Sequence, residues 1–178
     1  MHRIIFTGIP GSGKGTQSEL LSVYDIQQIS TGEIIRAAFK NNDPVISKYR
    51  DHIEDGGFLP DEGIFNLIKK HIPTKGNGYI LDGAVRTLNQ AQFVDNNDLA
   101  DTVIYFHLTK SLDEERLLSR GQGRADDTAG AIKKRFSIYE SQTISAENYL
   151  RGNFPFYEID ASATIEEVHS QVKKALEI

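Results

Sequence analysis

Residues 8–16 read Gly8-Ile9-Pro10-Gly11-Ser12-Gly13-Lys14-Gly15-Thr16, and the apolar run Ile4-Ile5-Phe6 stands just before them. The residues that follow, Gln17-Ser18-Glu19-Leu20-Leu21, have the composition of a helix. A strand, a glycine-rich loop and a helix start in this order predict a phosphate-binding P-loop. Glycine lets the backbone N–H groups of such a loop converge on one point, and the helix N-terminus adds a positive dipole.

Two side chains of this loop carry the chemistry that a nucleoside triphosphate needs. Lys14 supplies a mobile positive charge for the outer phosphates, and the hydroxyl of Thr16 is placed to reach a magnesium ion. The alternative interpretation is a glycine-rich turn that only caps a helix, and the strand in front of the loop argues against it. Gly15 separates the lysine from the hydroxyl residue, which departs from the plain motif.

The chain has 178 residues, a formal net charge of −5 and no cysteine. This length predicts one domain, and the negative charge argues against a general nucleic-acid or membrane-surface binder. The absence of cysteine excludes disulfides and thiolate metal sites. The sequence has no apolar run of about 18 residues, so no transmembrane helix is predicted and we expect a cytoplasmic protein.

Strand-like and helix-like segments alternate along the chain, which predicts an α/β fold with a five-stranded parallel sheet flanked by helices. The predicted strands are Arg3–Thr7, Gln28–Ser30, Tyr79–Asp82, Val103–Leu108 and Phe156–Asp160. Residues 31–60 have a helical pattern throughout, which predicts two or three short helices that form a side lobe.

Two helices are predicted near the C-terminus. One long helix is indicated by apolar side chains at Ile132, Phe136, Tyr139, Ala146, Tyr149 and Leu150. Thr164 and Glu167 have the spacing of a capping box at the start of the last helix. The apolar face of that helix is predicted to contain Ile165, Val168, Val172 and Leu176.

Arginine is concentrated where a site is expected. Of the nine arginines, six lie in or beside segments that we interpret as site-forming: Arg36, Arg86, Arg116, Arg120, Arg124 and Arg135. The planar guanidinium group suits phosphate oxygens. Small anionic molecules are therefore expected as partners rather than polymers.

Four segments resemble the adenylate kinases of the nucleoside-monophosphate (NMP) kinase family. They are GIPGSGKGTQ at 8–17, ISTGEIIRAA at 29–38, YILDGAVRTLNQAQ at 79–92 and RLLSRGQGRADDTAGAIKKR at 116–135. Four motifs in the family's order and spacing are much more specific than one. The resemblance implies a three-layer P-loop kinase domain over residues 1–178, with a small helical NMP-binding lobe at about 31–60 and a very short lid loop at about 120–126.

The resemblance also implies a reaction, the transfer of the terminal phosphoryl group of ATP to AMP to give two ADP. It implies ATP binding by Gly11, Ser12, Gly13, Lys14, Gly15, Thr16, Arg116 and Arg120. It implies AMP binding by Thr31, Gly32, Arg36, Gly57, Phe58, Leu59, Gly83, Arg86 and Gln90. The catalytic residues that it implies are Lys14, Arg86, Arg120, Arg124 and Arg135.

Magnesium is the expected cofactor, and Thr16 and Asp82 are expected to hold it through water. No metal bound by the protein alone, and no zinc, is expected. The expected partners are ATP and AMP, without nucleic acid or membrane, and a monomer is expected. On local sequence alone, Asp82 could instead end a strand in a turn, and Ser30 or Thr31 could cap a helix that carries a surface arginine.

Two features depart from the family pattern. Ala84-Val85 stands where the family usually has Phe-Pro, so we expect a trans peptide in a shifted or well-braced loop and a looser acceptor pocket. Only Gly121-Gln122-Gly123 separates Arg120 from Arg124, which excludes a zinc-binding lid. His107, in an apolar strand, is expected to be a core residue.

Two other functions stay open on the sequence. One is another NMP kinase, for UMP or CMP, although those relatives tend to have Ala at the position of Thr31 and Asn at that of Gln90. The other is a weakly active nucleotide sensor of the same family, suggested by Ala84-Val85. Diphosphate formation from ATP and each monophosphate would distinguish these functions.

Overall fold

The computed structural model describes residues 1–55, 57–109 and 129–178. In this part of the chain the strands are β1 His2–Gly8, β2 Ile26–Ser30, β3 Gly78–Asp82, β4 Thr102–His107 and β5 Phe156–Asp160. All pair in parallel, in the order β2-β3-β1-β4-β5. The predicted α/β fold with a five-stranded parallel sheet is confirmed.

Helices lie between and after these strands. Within the described ranges they are α1 Lys14–Leu21, α2 Thr31–Lys40, α3 Pro44–Ser47, α4 Arg50–Glu54, α5 Asp61–His71, α6 Leu88–Asn96, α7 Ala129–Ile138, α8 Ile144–Asn153 and α9 Ile165–Leu176. A 3₁₀ turn at Ser22–Tyr24 follows α1, and a π-helical turn at Tyr139–Thr143 joins α7 to α8. None of the described helices is long and apolar enough to cross a membrane.

Each face of the sheet has its own apolar core, because successive side chains of a strand point to opposite faces. Ile4 and Phe6 of β1 belong to one buried cluster, and Ile5 between them belongs to the other. Phe6 meets Phe106 of β4 edge to face, with ring centroids 4.9 Å apart. The central position of β1 follows from this burial on both faces.

The carboxyl ends of the strands form the edge from which the site is built. β1 lies between β3 and β4. After β1 the chain places β2 and β3 on one side of this strand, and then β4 and β5 on the other side. In open parallel sheets, ligands bind outside the carboxyl ends at such a switch point. The loops after Gly8 and after Asp82 both leave the sheet there.

The predicted long helix is present as an unbroken helical run, with one irregular turn inside it. α7 and α8 are separated by the wide turn Tyr139–Thr143, in which each carbonyl pairs one residue further along than in an α-helix. The hydroxyl of Tyr139 in this turn donates to Glu147 of α8, and the hydroxyl of Thr143 donates to the carbonyl oxygen of Arg86. The pattern of apolar residues predicts which face of the helix is buried, but it does not predict a π-helical turn within it.

Other expectations have mixed outcomes. The capping box of Thr164 and Glu167 is confirmed. Ile165 is 54% exposed, so it does not belong to the buried stripe of α9. His107 is exposed at the end of β4, contrary to expectation, because the alternation that buries Phe106 turns the next residue outward.

Residues 31–54 contain three short helices, α2 to α4, and the ammonium of Lys134 on α7 pairs with the carboxylate of Asp55 beyond α4. The predicted lid loop at 120–126 lies wholly outside the described residues.

Gly8→Ala is expected to destabilise the fold by about 2–4 kcal/mol. Gly8 has φ +128°, and a Cβ there would lie 2.5 Å from the carbonyl oxygen of Phe106. The measurement is the free energy of unfolding from urea titration. The control is Gly152→Ala in α8, where a Cβ meets open space, and it should be neutral or stabilising by up to about 1 kcal/mol. Equal stability of the Gly8 variant and wild type would contradict this reading.

Candidate active site

The loop after β1 is shaped by glycines in backbone conformations that other residues rarely adopt. Gly11 has φ +97°, and Gly13, the residue that precedes α1, has φ +89°. No side chain caps α1. The first N–H groups of this helix are therefore directed to the loop, which makes its N-terminus suited to an anion.

The ammonium of Lys14 lies inside this loop. It donates hydrogen bonds to the carbonyl oxygens of Gly8 and Ile9, each at 2.8 Å, and to the hydroxyl of Ser12 at 3.0 Å. These contacts place the full positive charge at the carboxyl end of the central strand. The loop geometry agrees with the predicted P-loop.

A cavity of about 660 Å³ opens in front of the loop. The six predicted triphosphate-binding residues of the loop line it: Gly11, Ser12, Gly13, Lys14, Gly15 and Thr16. Asp82 at the end of β3 lines it from the other side, and Ala163, Thr164 and Ile165 line it before and at the start of α9. Ile165 is exposed because its side chain lines this open cavity.

A second, smaller cavity of about 110 Å³ adjoins the first. All nine residues predicted for the acceptor site line it: Thr31, Gly32, Arg36, Gly57, Phe58, Leu59, Gly83, Arg86 and Gln90. Three guanidinium groups, those of Arg36, Arg86 and Arg135, line both cavities. Among the described residues, positive charge is thus concentrated where the two cavities meet.

Arg86 is held from several sides. Its Nε donates to the carbonyl oxygen of Gly83 at 2.9 Å, and its guanidinium carbon lies 4.6 Å from the centre of the Phe58 ring. Its own carbonyl oxygen accepts from the hydroxyl of Thr143 at 3.0 Å. Burial lowers the pKa of Arg86, the nearby charge of Asp82 raises it, and Arg36 lowers it further.

Two neighbouring hydroxyl residues at the start of α2, Ser30 and Thr31, make different hydrogen bonds. The hydroxyl of Ser30 accepts from the backbone N–H of Glu33, so the local interpretation of a helix N-cap is correct for Ser30. Thr31 does something else, because its hydroxyl donates to the carbonyl oxygen of Gly83 at 2.9 Å. A Cβ on Gly32 would lie 3.2 Å from Nη1 of Arg36, so glycine leaves room for that guanidinium.

Gln90 is 1% exposed and its carboxamide is fixed by the protein. Its Oε1 accepts from the backbone N–H groups of Arg86 at 2.7 Å and Thr87 at 3.3 Å. Its Nε2 donates to Asp61 at 2.7 Å, and Asp61 also accepts from Thr87 and Asn89. Asp61 therefore sets which face of the Gln90 carboxamide is turned to the smaller cavity.

Oxygen ligands for a hard cation are present in the larger cavity. The carboxylate of Asp82 accepts from Nε2 of Gln28 at 2.9 Å, and it lines the cavity together with Thr16. In the described part of the chain, no group of three His, Cys, Asp or Glu residues could hold a metal ion. Such a site suits a cation that keeps most of its water and phosphate ligands better than a cation that is bound entirely by protein side chains.

Ala84 and Val85 follow β3 directly after Gly83. All peptide bonds of the described ranges are trans, including that between Ala84 and Val85, as predicted. Ala84 is fully buried in the apolar core, and it lines neither of the two cavities described above. Ala84 therefore adds no side chain to the lining of either cavity, and the looser acceptor pocket stays a prediction.

Sequence reasoning missed three buried or half-buried polar residues around the site. They are Asp61, Thr143 and Glu147. Glu147 had a detectable signal, because a charged residue stands beside Ala146 on the face that contains Leu150. Arg116, Arg120 and Arg124, with the neighbouring Asp126 and Asp127, lie outside the described residues.

The chain is similar to known proteins over nearly its full length. A sequence model of the family described as adenylate kinase matches residues 6–153. The adenylate kinase of Parabacteroides distasonis is 35% identical over 99% of this chain and 98% of its own length. That of Leptospira biflexa is 32% identical over 99% and 100%, and adenylate kinase 1 of a Nostoc species is 34% identical over 99% of both. The family match over most of the chain and this coverage show that the chain belongs to the adenylate kinase family.

Proposed function

We propose that this chain transfers the terminal phosphoryl group of ATP to AMP, with two ADP as products. The observation that supports this most is the meeting of two cavities at Arg36, Arg86 and Arg135, one of them lined by the P-loop. Two polyanions placed end to end need cations at their junction. Membership of the adenylate kinase family supports the same reaction.

The donor nucleotide is proposed to occupy the larger cavity. Backbone N–H groups of residues 11–16 would surround its phosphates, with Lys14 exchanging loop carbonyls for outer phosphate oxygens. The exposed side chain of Ile165 would contact the base. Arg116 and Arg120 remain predicted donor-site residues outside the described ranges.

The acceptor nucleotide is proposed to occupy the smaller cavity. Arg36 and Arg86 would bind its phosphate, and Thr31 and Gln90 would lie near its base. Gln90 has a second N–H besides the one given to Asp61, and we propose that this group reads the base. Gly32, Gly57, Phe58, Leu59 and Gly83 would complete the walls.

The proposed reaction needs positioning more than it needs a proton carrier. A phosphate oxygen of AMP, already an anion at neutral pH, attacks the terminal phosphorus of ATP, and the bond to the bridging oxygen breaks to release ADP. Preorganised cations reduce the repulsion between the two nucleotides and align them. Lys14, Arg86 and Arg135 are proposed for this role, together with Arg120 and Arg124 outside the described residues.

Magnesium is proposed to arrive with ATP. Asp82 and Thr16 line the larger cavity with the oxygen ligands that this ion prefers, and they would hold it through water. When bound, the ion would neutralise charge on the phosphates. Zinc is not proposed, and neither is any site made by the protein alone.

The small NMP-binding lobe at about 31–60 and the short lid loop at about 120–126 stay predictions, and the lid loop lies outside the described residues. The Asp55–Lys134 ion pair supports a contact between this lobe and α7. A monomer stays a prediction. A cytoplasmic location stays a prediction.

The acceptor profile tests the proposed substrate. With ATP and magnesium, AMP is expected to be converted to ADP at least about tenfold more efficiently than UMP or CMP, because Thr31 and Gln90 suit adenine. The measurement is kcat/KM for each monophosphate by a coupled diphosphate assay. A preference for UMP or CMP would favour the pyrimidine kinase, and ATP binding without transfer would favour the sensor.

Lys14→Ala is expected to lower kcat by about 10²–10³-fold, since it removes a preorganised cation from the transferred group. The measurement is steady-state ADP formation, with the thermal unfolding midpoint as a check on folding. The matched control is Lys133→Ala on the exposed surface of α7, which should leave kcat unchanged. A folded Lys14 variant with wild-type kcat would contradict the assigned role.

Asp61→Ala is expected to raise KM for AMP by about five- to tenfold, because Gln90 loses the acceptor that orients its carboxamide. KM for ATP should change by less than about twofold, since the larger cavity does not include Asp61. The control is Asn89→Ala, which removes only the exposed contact to Asp61. Equal rises in both KM values would indicate general loss of structure instead.

A further inference from the structure

A carboxyl group is buried directly behind the phosphate loop. Glu147 of α8 is 7% exposed, although buried carboxylates are rare unless they are paired. It lies on the apolar face of α8 with Ala146 and Leu150. No step of the proposed reaction uses it, so its presence in this core needs another explanation.

Glu147 is surrounded by hydrogen-bond donors. Its Oε1 accepts from the hydroxyl of Thr7 at 2.8 Å, and its Oε2 accepts from the hydroxyl of Tyr139 at 2.7 Å. The backbone N–H of Gly8 also donates to it. These contacts bind the carboxylate to the last two residues of β1, where the phosphate loop begins.

Gly8 connects this carboxylate to Lys14. The N–H of Gly8 points to Glu147, while the carbonyl oxygen of Gly8 accepts from Nζ of Lys14 at 2.8 Å. Burial raises the pKa of the Glu147 carboxyl group, and its hydrogen bonds and the charge of Lys14 offset this only in part. The carboxyl group thus lies one residue behind the cation that would attract the phosphates.

We propose that Glu147 is a positioning residue of the phosphate loop, whose negative charge holds the Lys14 ammonium against the loop carbonyls and so limits how tightly the loop binds ATP. This inference rests on the proposed binding of ATP in the larger cavity. Phosphate oxygens compete with Glu147 for the same ammonium. The carboxylate favours release of the product ADP, which must leave the loop after each turnover.

The groups that face Glu147 come from four elements of the fold. The groups that face it are Thr7 and Gly8 from β1, Lys14 from α1 and Tyr139 from the π-helical turn, with Tyr105 of β4 bonded to Tyr139. Burial raises the pKa of Tyr139, and Glu147 raises it further, so this phenol stays a neutral donor.

A neutral isostere is expected to fold well. Burial raises the pKa of Glu147 above its ordinary value of 4.5, and its hydrogen bonds and Lys14 offset this only in part. The folded state therefore holds this proton more tightly than the unfolded chain, so the charge reduces stability above the raised pKa and not below 4.5. Glu147→Gln should unfold at a higher temperature than wild type at pH 8, and the difference should vanish in acid.

The test is ATP affinity of Glu147→Gln at pH 8 with magnesium, by calorimetric titration. Its Kd for ATP is expected to fall about three- to tenfold, the effect of removing one charge near the phosphates at the effective dielectric of a protein. Its Kd for AMP should stay within about twofold of wild type, because Thr7, Gly8 and Tyr139, which contact Glu147, line the larger cavity and not the smaller one.

Glu147→Asp is the matched control, since it keeps the charge and shortens the side chain. It should not tighten ATP binding. Unchanged or weaker ATP binding by Glu147→Gln would overturn the inference, and so would equal tightening by both variants, which would assign the effect to lost loop contacts. If wild type itself binds no ATP, the proposed function fails, and that result is separate from the ratio between the variants.

Discussion

The hydrogen bonds of the Lys14 ammonium to the carbonyl oxygens of Gly8 and Ile9 are the interaction on which the site depends. They fix a full positive charge at the carboxyl end of the central strand. β1 is central because both of its faces are apolar and buried, and Gly8 ends it with a conformation that glycine tolerates. The charge proposed to bind phosphate is therefore positioned by a central strand that is buried on both faces.

The acceptor side is built by a chain of hydrogen bonds from neighbouring elements. Asp61 at the start of α5 orients Gln90, and Gln90 accepts from the backbone of Arg86. Thr143, in the wide turn between α7 and α8, holds the carbonyl oxygen of Arg86. The same turn places Tyr139 on Glu147 behind the phosphate loop. One irregular turn thus contacts the supports of both cavities, and such turns often occur at functional sites.

Sequence patterns predict the parts of this arrangement that depend on local chemistry. Alternating strand and helix patterns predict the parallel sheet, and glycines around Lys14 predict the phosphate loop. They do not predict Glu147 behind the loop or Asp61 beside Gln90, because these contacts join residues 140 and 29 positions apart. The burial of Ala84 in the core is not predicted for the same reason, since its neighbours there come from other elements. A wide helical turn and the outward side chain of His107 need three-dimensional packing to be seen.

The central claim is that two nucleotides lie end to end across one cluster of cations. It is tested most directly by titration with a compound in which two adenosines are joined by a chain of phosphates long enough to span both cavities. The account predicts binding of one compound per chain, with displacement by ATP and by AMP, and weaker binding in Arg86→Lys, whose single ammonium cannot replace the planar guanidinium. Displacement by ATP alone, or binding of two compounds per chain, would contradict it.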